Sequence, residues 1–549
     1  MRIKAMVLRF FGVFSYSRQA LQLVWQTSAP YTILLALLTV FAGLLPTVIA
    51  YLGQLIVDGV LAASEHYQAL KPLFDKSARW SQWVNAIGDS LLLYLLVEAI
   101  LVMVLLGVQR GISVIQSLFR GLLGHRVNWM ILKKAQTLSL AQFEDSEFYD
   151  KLVRARRDAS TRPLGLVNKT FGLMQNAIAL AGFSVLLVQF SPWIIVMLVV
   201  AALPGFFVEA YFSGKAFNLF RWRSPQARQQ SYLETLLARE DNAKEIKLFG
   251  LGPVFLNRYQ SIFNTLYQED RSLTLRRDTW GLSMDFFASV VFYIAFAWVI
   301  IATVVGDITL GQMTMYLLVF KQGQAAITAS LSAISGMYED NLYLSNLYEY
   351  LDQPGRERVG GVQSGAKPED GIRFENVSFT YEGASQPALR DLSFHLRPGD
   401  SLAIVGENGS GKTTLIKLLT RLYQPSKGRI VFQGTDLSAW DSEALYQQLS
   451  VIFQDFIHYQ LIAGENIGVG RVDSLEQEPL WQEAAIRGKA ADFIQQLPNQ
   501  YHTQLGRWFK NGQELSGGQW QKMALSRAFM RTDASVLILD EPTAAMDAQ

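Results

Sequence analysis

The chain is 549 residues long, and half of it is hydrophobic, while only 17% is charged, against about 25% in ordinary soluble domains. This composition excludes a disordered chain and a purely soluble one. Cysteine is absent, which excludes disulfide scaffolds, thiolate metal sites and a catalytic thiol. The net charge of +2 is not the basic excess typical of nucleic-acid-binding domains, so we expect no nucleic-acid partner.

Long apolar runs fill the first half of the sequence and are almost absent from the last third. Runs of about 20 residues are long enough to cross the hydrocarbon core of a bilayer as helices. Buried helices of a large soluble protein are the alternative, but such helices carry a polar face that these runs largely lack. We therefore predict six membrane spans, near 31–57, 89–108, 171–190, 192–213, 283–305 and 309–330.

The loops between the predicted spans indicate the orientation of the chain. Ten Lys and Arg residues lie in 109–165 and eleven in 215–277, whereas the connections at 191 and 306–308 have none. Positive residues stay on the cytoplasmic side of a bilayer, so we expect both long loops and both termini there. Few helix breakers and apolar residues spaced by three or four positions predict that the long loops are helical extensions.

The composition changes after residues 354–371, a segment rich in Gly, Pro and charge that we predict to be a linker. From residue 372 to the end, short β-prone runs alternate with helical patterns, which predicts a parallel α/β domain. The predicted organisation is therefore a helical membrane domain over 1–353, the linker, and an α/β domain over 372–549.

A glycine-rich segment in the α/β domain follows the apolar run 402–405, which we predict to be a short buried strand, and precedes a helical pattern over 414–422. Its spacing matches a phosphate-binding loop, in which glycines let backbone N–H groups surround phosphate and the helix start adds positive potential. Lys412 would reach the β- and γ-phosphates, and the Thr413 hydroxyl would bind Mg²⁺. The residues predicted to bind are Gly406, Glu407, Asn408, Gly409, Ser410, Gly411, Lys412, Thr413 and Thr414.

Two carboxylates follow the apolar run 536–539. Asp540 can hold Mg²⁺, directly or through water, and Glu541 can polarise an attacking water. Acidic residues after a strand are common in surface turns. The pair indicates Mg²⁺ binding and water activation only because a phosphate-binding loop lies in the same domain. Together these segments predict a P-loop ATPase.

Three further segments accompany these motifs. Tyr381 lies about 25 residues before the loop, Gln454 follows the predicted strand 450–453, and a signature segment precedes a helical pattern. Their order and spacing over 372–549 resemble the ATP-binding cassette family. The resemblance implies that Tyr381 stacks on the adenine of ATP and that Gln454 binds Mg²⁺ and couples it to the membrane domain. It also implies that the signature segment caps the γ-phosphate of an ATP held by another subunit. The signature residues are Leu515, Ser516, Gly517, Gly518 and Gln519.

Six spans followed by one cassette resemble a half-size exporter of this family. The predicted fold class is a multi-domain membrane protein, an all-α six-helix transmembrane bundle with long cytoplasmic helical extensions followed by the α/β P-loop ATPase domain. Each chain has one phosphate-binding loop and one signature segment, so the resemblance implies a head-to-tail dimer that buries two ATP molecules. The intact signature segment and Glu541 favour a homodimer, and a heterodimer stays open.

The resemblance implies ATP-driven export of a peptide, a lipid or an amphipathic small molecule across the cytoplasmic membrane of a bacterium, with ATP and Mg²⁺ as cofactors. An ATP-gated regulator or channel and a fused siderophore or vitamin importer are alternatives with the same fold. The predicted spans exclude a soluble cassette ATPase. By the same resemblance, the loop tips 143–150 and 231–238 are candidate coupling helices.

Charged residues inside predicted spans are costly and often functional. Lys321 and Glu98 are the deepest, and Lys321, Gln324, Thr328 and Ser335 fall near one face of the sixth span. We interpret Lys321, Gln324 and Glu98 as candidates for a substrate cavity with aromatic residues such as Tyr316 and Phe320 nearby. A structural ion pair or hydrogen-bond network is the alternative.

The family pattern also continues beyond Glu541. Asp547 matches a residue that contacts the partner cassette, and a histidine on a later strand normally contacts the γ-phosphate. The five histidines of this sequence all precede Asp540. We therefore expect the sequence to belong to a longer protein of near 600 residues; were it complete as given, hydrolysis would be severely impaired.

Overall fold

The computed structural model describes residues 15–70, 89–145, 148, 162–355 and 360–542. Backbone contacts divide the chain into two compact units. One, the helical unit, comprises the described residues of Met1–Gln136 and Glu147–Gln353. The other, the α/β unit, comprises those of Thr137–Ser146 and Pro354–Gln549.

Long helices make up the helical unit. All six predicted spans fall inside them, apart from a residue or two at an end. Among the described helices up to residue 351, α4, a five-residue helix, belongs to the α/β unit and the others belong to the helical unit. In chain order they are α1 (Ser15–Thr27), α2 (Ala29–Leu70), α3 (Asp89–Ala135), α4 (Leu140–Glu144), α5 (Arg162–Phe190), α6 (Pro192–Trp222), α7 (Ser224–Ala238), α8 (Glu240–Leu248), α9 (Gly252–Val305) and α10 (Leu310–Leu351).

Five of the described helices are long and apolar enough to cross a membrane: α2, α3, α5, α6 and α9. They contain the first five predicted spans. The sixth predicted span lies in α10, which is as long as α2 but carries Lys321, Gln322 and Gln324 among its apolar residues. Within the described residues α10 is not among the five, and the span 309–330 stays a prediction.

The core of the helical unit forms around α10. Tyr316, Val319 and Phe320 are almost completely buried there against Leu187 of α5 and Ile194 of α6. The expectation that Tyr316 and Phe320 stand beside a polar cavity is therefore wrong. The helical period places them on the same side as Val319, and large aromatic side chains contribute most when buried in a core.

Polar contacts fix α10 at two places along its length. At its start, the Asp58 carboxylate accepts hydrogen bonds from the Thr309 hydroxyl at 2.9 Å and from the Gly311 backbone N–H at 2.8 Å. Further along, the Lys169 ammonium lies 2.7 Å from the buried Asp340 carboxylate. These contacts hold α10 against α2 and α5. The Lys169 contact matters most, because a buried Asp340 carboxylate without a positive partner would be costly.

The α/β unit contains two sheets. A four-stranded antiparallel sheet has the order β2-β1-β3-β4, and a second sheet pairs β5 with β6 in parallel. The parallel pair is the arrangement that the alternating sequence pattern predicts, and the antiparallel sheet is an addition to it. The elements are β1 (Ile372–Phe379), β2 (Leu389–Leu396), α11 (Lys412–Leu419), β3 (Lys427–Phe432), β4 (Thr435–Asp436), α12 (Ser442–Gln447), β5 (Leu449–Ile452), α13 (Ala463–Gly468), α14 (Glu478–Arg487), α15 (Ala491–Gln495), α16 (Gly517–Phe529) and β6 (Val536–Leu539), with one-turn 3₁₀ helices at Pro368–Asp370, Leu437–Ala439, Val472–Ser474 and Gln500–His502.

The prediction of a buried strand at 402–405 is wrong for this structure. The segment has no strand hydrogen bonding, and Val405 is 93% exposed. An apolar run becomes a strand only where a neighbouring strand satisfies its backbone groups, and within the described residues this run has no such neighbour. Apolar character alone does not supply that partner.

Part of the predicted linker is attached to the antiparallel sheet. Val362 forms a β-bridge with Trp440, and the Lys367 N–H donates to the Gln433 carbonyl at 2.8 Å. Trp440 itself is completely buried in the core between this sheet and α11. A second core, around Trp481 and Trp520, joins α13, α14 and α16 and supports the signature segment.

Candidate functional site

The glycine-rich loop lies at the start of α11. Gly409 and Gly411 have φ values of +84° and +95°, a region in which residues with a Cβ are strained. A Cβ at Gly411 would lie 2.8 Å from the Ala388 carbonyl oxygen. The loop therefore needs glycine at this position for both its backbone conformation and its close approach to β2.

The Lys412 side chain folds back over this loop. Its ammonium donates to the carbonyl oxygens of Gly406 at 2.7 Å and Glu407 at 3.2 Å. The positive charge is thus held at the loop, beside the N–H groups at the start of α11. Such an arrangement favours a bound phosphate, because both the ammonium and the helix N-terminus attract anions.

The two predicted Mg²⁺ ligands from distant parts of the sequence meet beside the loop. The Thr413 hydroxyl donates to the Asp540 carboxylate at 3.0 Å, and Asp540 is only 5% exposed. A hydroxyl and a carboxylate are the hard oxygen ligands that Mg²⁺ prefers. The residues present therefore fit the metal that the motif predicts.

Parallel strand pairing brings the second half of the site to the same place. Ile452 at the end of β5 pairs with Leu539 at the end of β6, so both strands end at one edge of their sheet. Gln454 and Glu541 follow these two ends. The Gln454 amide donates to the Glu541 carboxylate at 2.6 Å.

The backbone at Glu541 is unusual. Its φ of +49° lies in the left-handed region that non-glycine residues rarely adopt. The Gln521 side chain, 5% exposed on α16, donates to the Glu541 carbonyl at 3.3 Å. Strain of this kind persists where surrounding contacts over-determine it and concentrates at functional sites. Gln521 was missed in the sequence analysis, although it lies only two positions after the signature segment.

Tyr381 lies at the other side of α11. Its hydroxyl is 3.0 Å from the Thr414 hydroxyl, and its ring contacts Phe379 and Tyr423 edge to face. The ring is half-buried, which leaves surface on which a base could stack. Tyr423 was not predicted, because no motif marks it.

The signature segment begins α16. The Ser516 hydroxyl accepts from the Gln519 N–H at 3.3 Å, and the Gln519 side chain accepts from the Ser516 N–H at 2.9 Å. This reciprocal capping box fixes the helix start. Ser516 and Gly517 are exposed, whereas Leu515 is buried. The start of α16 is therefore rigid and open to an anion from outside the chain.

Aromatic and charged contacts join the Gln454 loop to α16. The His458 ring stacks on Trp520 with centroids 4.5 Å apart and planes within 1°. The Arg527 guanidinium donates to the Ile457 carbonyl at 3.2 Å and lies 4.6 Å from the Tyr459 ring centroid. Burial lowers the pKa of His458 below its ordinary value. The loop that carries Gln454 is thereby attached to the helix that carries the signature segment.

The predicted cavity residues are not brought together by direct contact. Glu98 on α3 is half-buried, Lys321 on α10 is exposed in the single chain, and Gln324 is half-buried. Among the described residues Glu98 and Lys321 form no ion pair. Ser335 lies on the same face of α10 but is buried and donates to the Ser213 hydroxyl of α6 at 3.1 Å, so at that level the face is covered and does not line an open cavity.

Two other predictions lie partly or wholly outside the described residues. Asp547 is outside them, as are four of the eight residues of the candidate coupling helix 143–150, of which α4 holds Phe143 and Glu144. The second candidate, 231–238, forms the last part of α7. Their coupling role stays a prediction.

Comparison with known proteins identifies the family. A family model described as ABC transporter matches residues 389–544. The subtilin transport ATP-binding protein of Bacillus subtilis is 32% identical over 430 residues, which are 77% of this chain and 69% of that protein. The chain belongs to the ABC transporter family. The transporter is also 25% identical over 548 residues to the nisin transport ATP-binding protein of Lactococcus lactis subsp. lactis, covering 98% of this chain and 86% of that protein.

Two further similarities extend over most of the transporter. The ATP-dependent lipid A-core flippase of Salmonella typhimurium is 26% identical over 536 residues, 93% of this chain and 86% of that protein. The structure of a bacterial Atm1-family ABC exporter with ATP bound matches with a TM-score of 0.68 at 20% identity, over 91% of this chain and 85% of that one. The predicted fold class, a helical membrane domain fused to a nucleotide-binding domain, is confirmed, and the transporter is a multi-pass membrane protein.

Proposed function

We propose that two copies of this transporter form an exporter that hydrolyses ATP and moves an amphipathic peptide out of the cytoplasm. One observation carries the proposal: Lys412, the Thr413–Asp540 contact and the Gln454–Glu541 contact meet at one sheet edge. They do so in a chain whose other unit holds five helices apolar enough to cross a membrane.

The site residues have separate roles in ATP binding and hydrolysis. Lys412 and the loop N–H groups hold the phosphates of ATP, and Tyr381 stacks on the base. Thr413, Asp540 and Gln454 hold Mg²⁺, which supplies charge neutralisation of the phosphates when bound. Glu541 accepts a proton from the attacking water and is held by Gln454 for that purpose. The exposed start of α16 supports the proposal that the signature segment caps an ATP bound by the partner subunit.

The second subunit is best explained as another copy of the same chain. The signature segment and Glu541 are both intact, so two equivalent composite sites would form at a twofold interface. A heterodimer with a different chain remains the competing assembly. We expect equal ATP occupancy at two sites per dimer of the purified single gene product, and binding of a single ATP per dimer would contradict the homodimer.

A peptide cargo is supported by two similarities and by one surface. The relatives named for subtilin and nisin transport cover 77% and 98% of this chain. Along α10, one face that carries polar, small and apolar side chains is exposed at spacings of three or four: Thr314, Leu318, Lys321, Ala325, Thr328 and Ser332. Such a face suits a cargo with both polar and apolar groups. The flippase similarity makes a lipid the second candidate.

Transport into inverted membrane vesicles tests the proposal. We expect ATP-dependent accumulation of a labelled amphipathic cationic peptide, and stimulation of ATP hydrolysis by the same peptide. A fluorescent lipid is measured in parallel. Accumulation of the lipid alone would replace the peptide with a lipid cargo, and hydrolysis without accumulation of either would favour a regulator or channel. Non-hydrolysable ATP serves as the control for passive binding.

Replacing Lys321 tests the exposed face of α10. Lys321 has no ion-pair partner among the described residues, so Lys321→Ala leaves no opposite charge unpaired and basal ATP hydrolysis should be kept. The cargo concentration that gives half-maximal stimulation of hydrolysis should change by about tenfold. Glu98→Ala is expected to act in the same direction on stimulation. Lys244→Ala, at an exposed position on α8, is the control. Unchanged stimulation and transport in both variants would contradict the cavity interpretation.

A further inference from the structure

Within the α/β unit, a carboxylate on α4 accepts two hydrogen bonds from residues distant in sequence. Glu144 accepts from the Lys417 ammonium at 2.9 Å through one oxygen and from the Tyr423 hydroxyl at 2.5 Å through the other. Lys417 lies on α11, the helix that begins at the phosphate-binding loop. The α4 segment thus contacts the same helix that carries Lys412 and Thr413.

The same lysine contacts the predicted base-stacking residue. The Lys417 ammonium lies 5.7 Å from the Tyr381 ring centroid and 5.6 Å from that of Tyr423, both within the range of cation–π attraction. The Tyr381 and Tyr423 rings meet edge to face at 5.4 Å. Thr414, which contacts the Tyr381 hydroxyl, lies three residues before Lys417 on α11, so Tyr381 is held from two sides.

The protonation states of Glu144 and Tyr423 stabilise the hydrogen bonds of this cluster. Burial raises the pKa of Glu144, but the hydrogen bond from Tyr423 and the hydrogen bond and charge of Lys417 outweigh it, so the pKa lies below its ordinary value. Burial and the bond to Glu144 raise the pKa of Tyr423. At neutral pH the carboxylate is therefore charged, the phenol keeps its proton, and both donors stay directed at Glu144.

An isolated surface ion pair would not indicate a positioning role, because exposed ion pairs contribute little to stability. Arg429 and Glu375 form such a pair at 2.6 Å in the same unit, on β3 and β1. What distinguishes Glu144 is that its two partners are themselves the contacts of Tyr381. Removing the carboxylate would release both Lys417 and Tyr423 from their positions beside that ring.

We propose that Glu144 is a positioning residue for ATP binding: through Lys417 and Tyr423 it holds the Tyr381 ring ready for the base. The inference rests on the proposed function, in which Tyr381 stacks on adenine.

Measurements on the full-length transporter in lipid nanodiscs test the inference with two probes, ATP and inorganic tripolyphosphate, which has no base. In Glu144→Gln we expect the Kd for ATP to rise about three- to tenfold while the Kd for tripolyphosphate stays unchanged. The KM for ATP in hydrolysis should rise by the same factor with kcat kept. Glu144→Asp should restore part of the affinity.

Further variants separate positioning from a loss of folding. Tyr423→Phe keeps the ring and removes the donor, so a smaller rise in the Kd for ATP is expected. Combining Glu144→Gln with Lys417→Met should raise that Kd by less than the product of the two single effects, since they act through one cluster. Glu375→Gln removes a paired carboxylate elsewhere in the unit and should leave both Kd values unchanged.

The possible outcomes are distinct. Equal weakening of ATP and tripolyphosphate binding, or a lower kcat at unchanged KM, would mean that Glu144 only supports the fold, and would overturn the inference. An unchanged Kd for ATP in Glu144→Gln, with normal binding by the unmodified transporter, would also overturn it and leave the proposed function standing. If the unmodified transporter bound no ATP, the proposed function would fail and the inference with it.

Discussion

Replacing Glu541 with glutamine is expected to lower ATP hydrolysis by about a hundredfold or more, while ATP still binds. Glutamine has nearly the same shape and can keep a hydrogen bond to Gln454, but it cannot accept a proton from the attacking water. General-base catalysis typically contributes a factor of about 10² to 10⁴. Phosphate release by the purified transporter measures hydrolysis, and retention of labelled ATP measures binding.

Loss of the carboxylate charge also removes a repulsion with the phosphates of ATP, so the Kd for ATP should stay the same or fall. Transport of the cargo should fall in proportion to hydrolysis. Glu483→Gln is the matched control, because Glu483 is a carboxylate on α14 that pairs with Arg487. Hydrolysis within twofold of the unmodified rate in Glu541→Gln would show that another group activates the water.

Replacing Lys412 with alanine is expected to weaken ATP binding by about 10- to 100-fold and to abolish transport at ordinary ATP concentrations. When ATP binds, the ammonium exchanges its hydrogen bonds to the Gly406 and Glu407 carbonyls for bonds to phosphate oxygens, and the net gain is that of about one hydrogen bond to a charged group, about 1.5–3 kcal/mol. That range corresponds to the expected change in Kd. Equilibrium binding of a fluorescent ATP analogue measures it.

Two comparisons make the Lys412 result specific. Lys427→Ala removes an exposed lysine at the start of β3 and should leave the Kd unchanged. Lys412→Ala should also weaken tripolyphosphate binding, because the lysine contacts phosphate and not the base, and this distinguishes it from the Glu144 variants. Retention of full ATP affinity in Lys412→Ala would contradict the assignment of the loop.

Local motifs were sufficient to predict the chemistry of the site but not its assembly. The loop from Gly406 to Thr413 is identifiable because its glycines and lysine are close in sequence and the conformation depends on them. The contacts of Thr413 with Asp540 and of Gln454 with Glu541 join residues 127 and 87 positions apart. The second contact follows from the parallel pairing of β5 with β6, and no local pattern specifies which strand lies next to which.

The wrong predictions also arise because local sequence does not specify which segments become neighbours in the fold. The apolar run 402–405 has the composition of a strand but no strand partner among the described residues. Tyr316 and Phe320 were placed beside a cavity from their position on the helix, yet neighbouring helices bury them. Ser335 shares the period of Lys321 but meets Ser213 on α6. Helical periodicity defines faces, and only packing decides which face is covered.

The sequence by itself determined the class of this protein: apolar runs of membrane length, a phosphate-binding loop and a signature segment, each readable within a few residues. The tertiary structure alone decided that Glu144, Lys417, Tyr423 and Tyr381 form one cluster and that Gln521 supports Glu541. The physical reason is that the chemistry of a motif depends on neighbours in sequence. Hydrogen bonds and aromatic contacts between distant segments depend on how the chain folds them together.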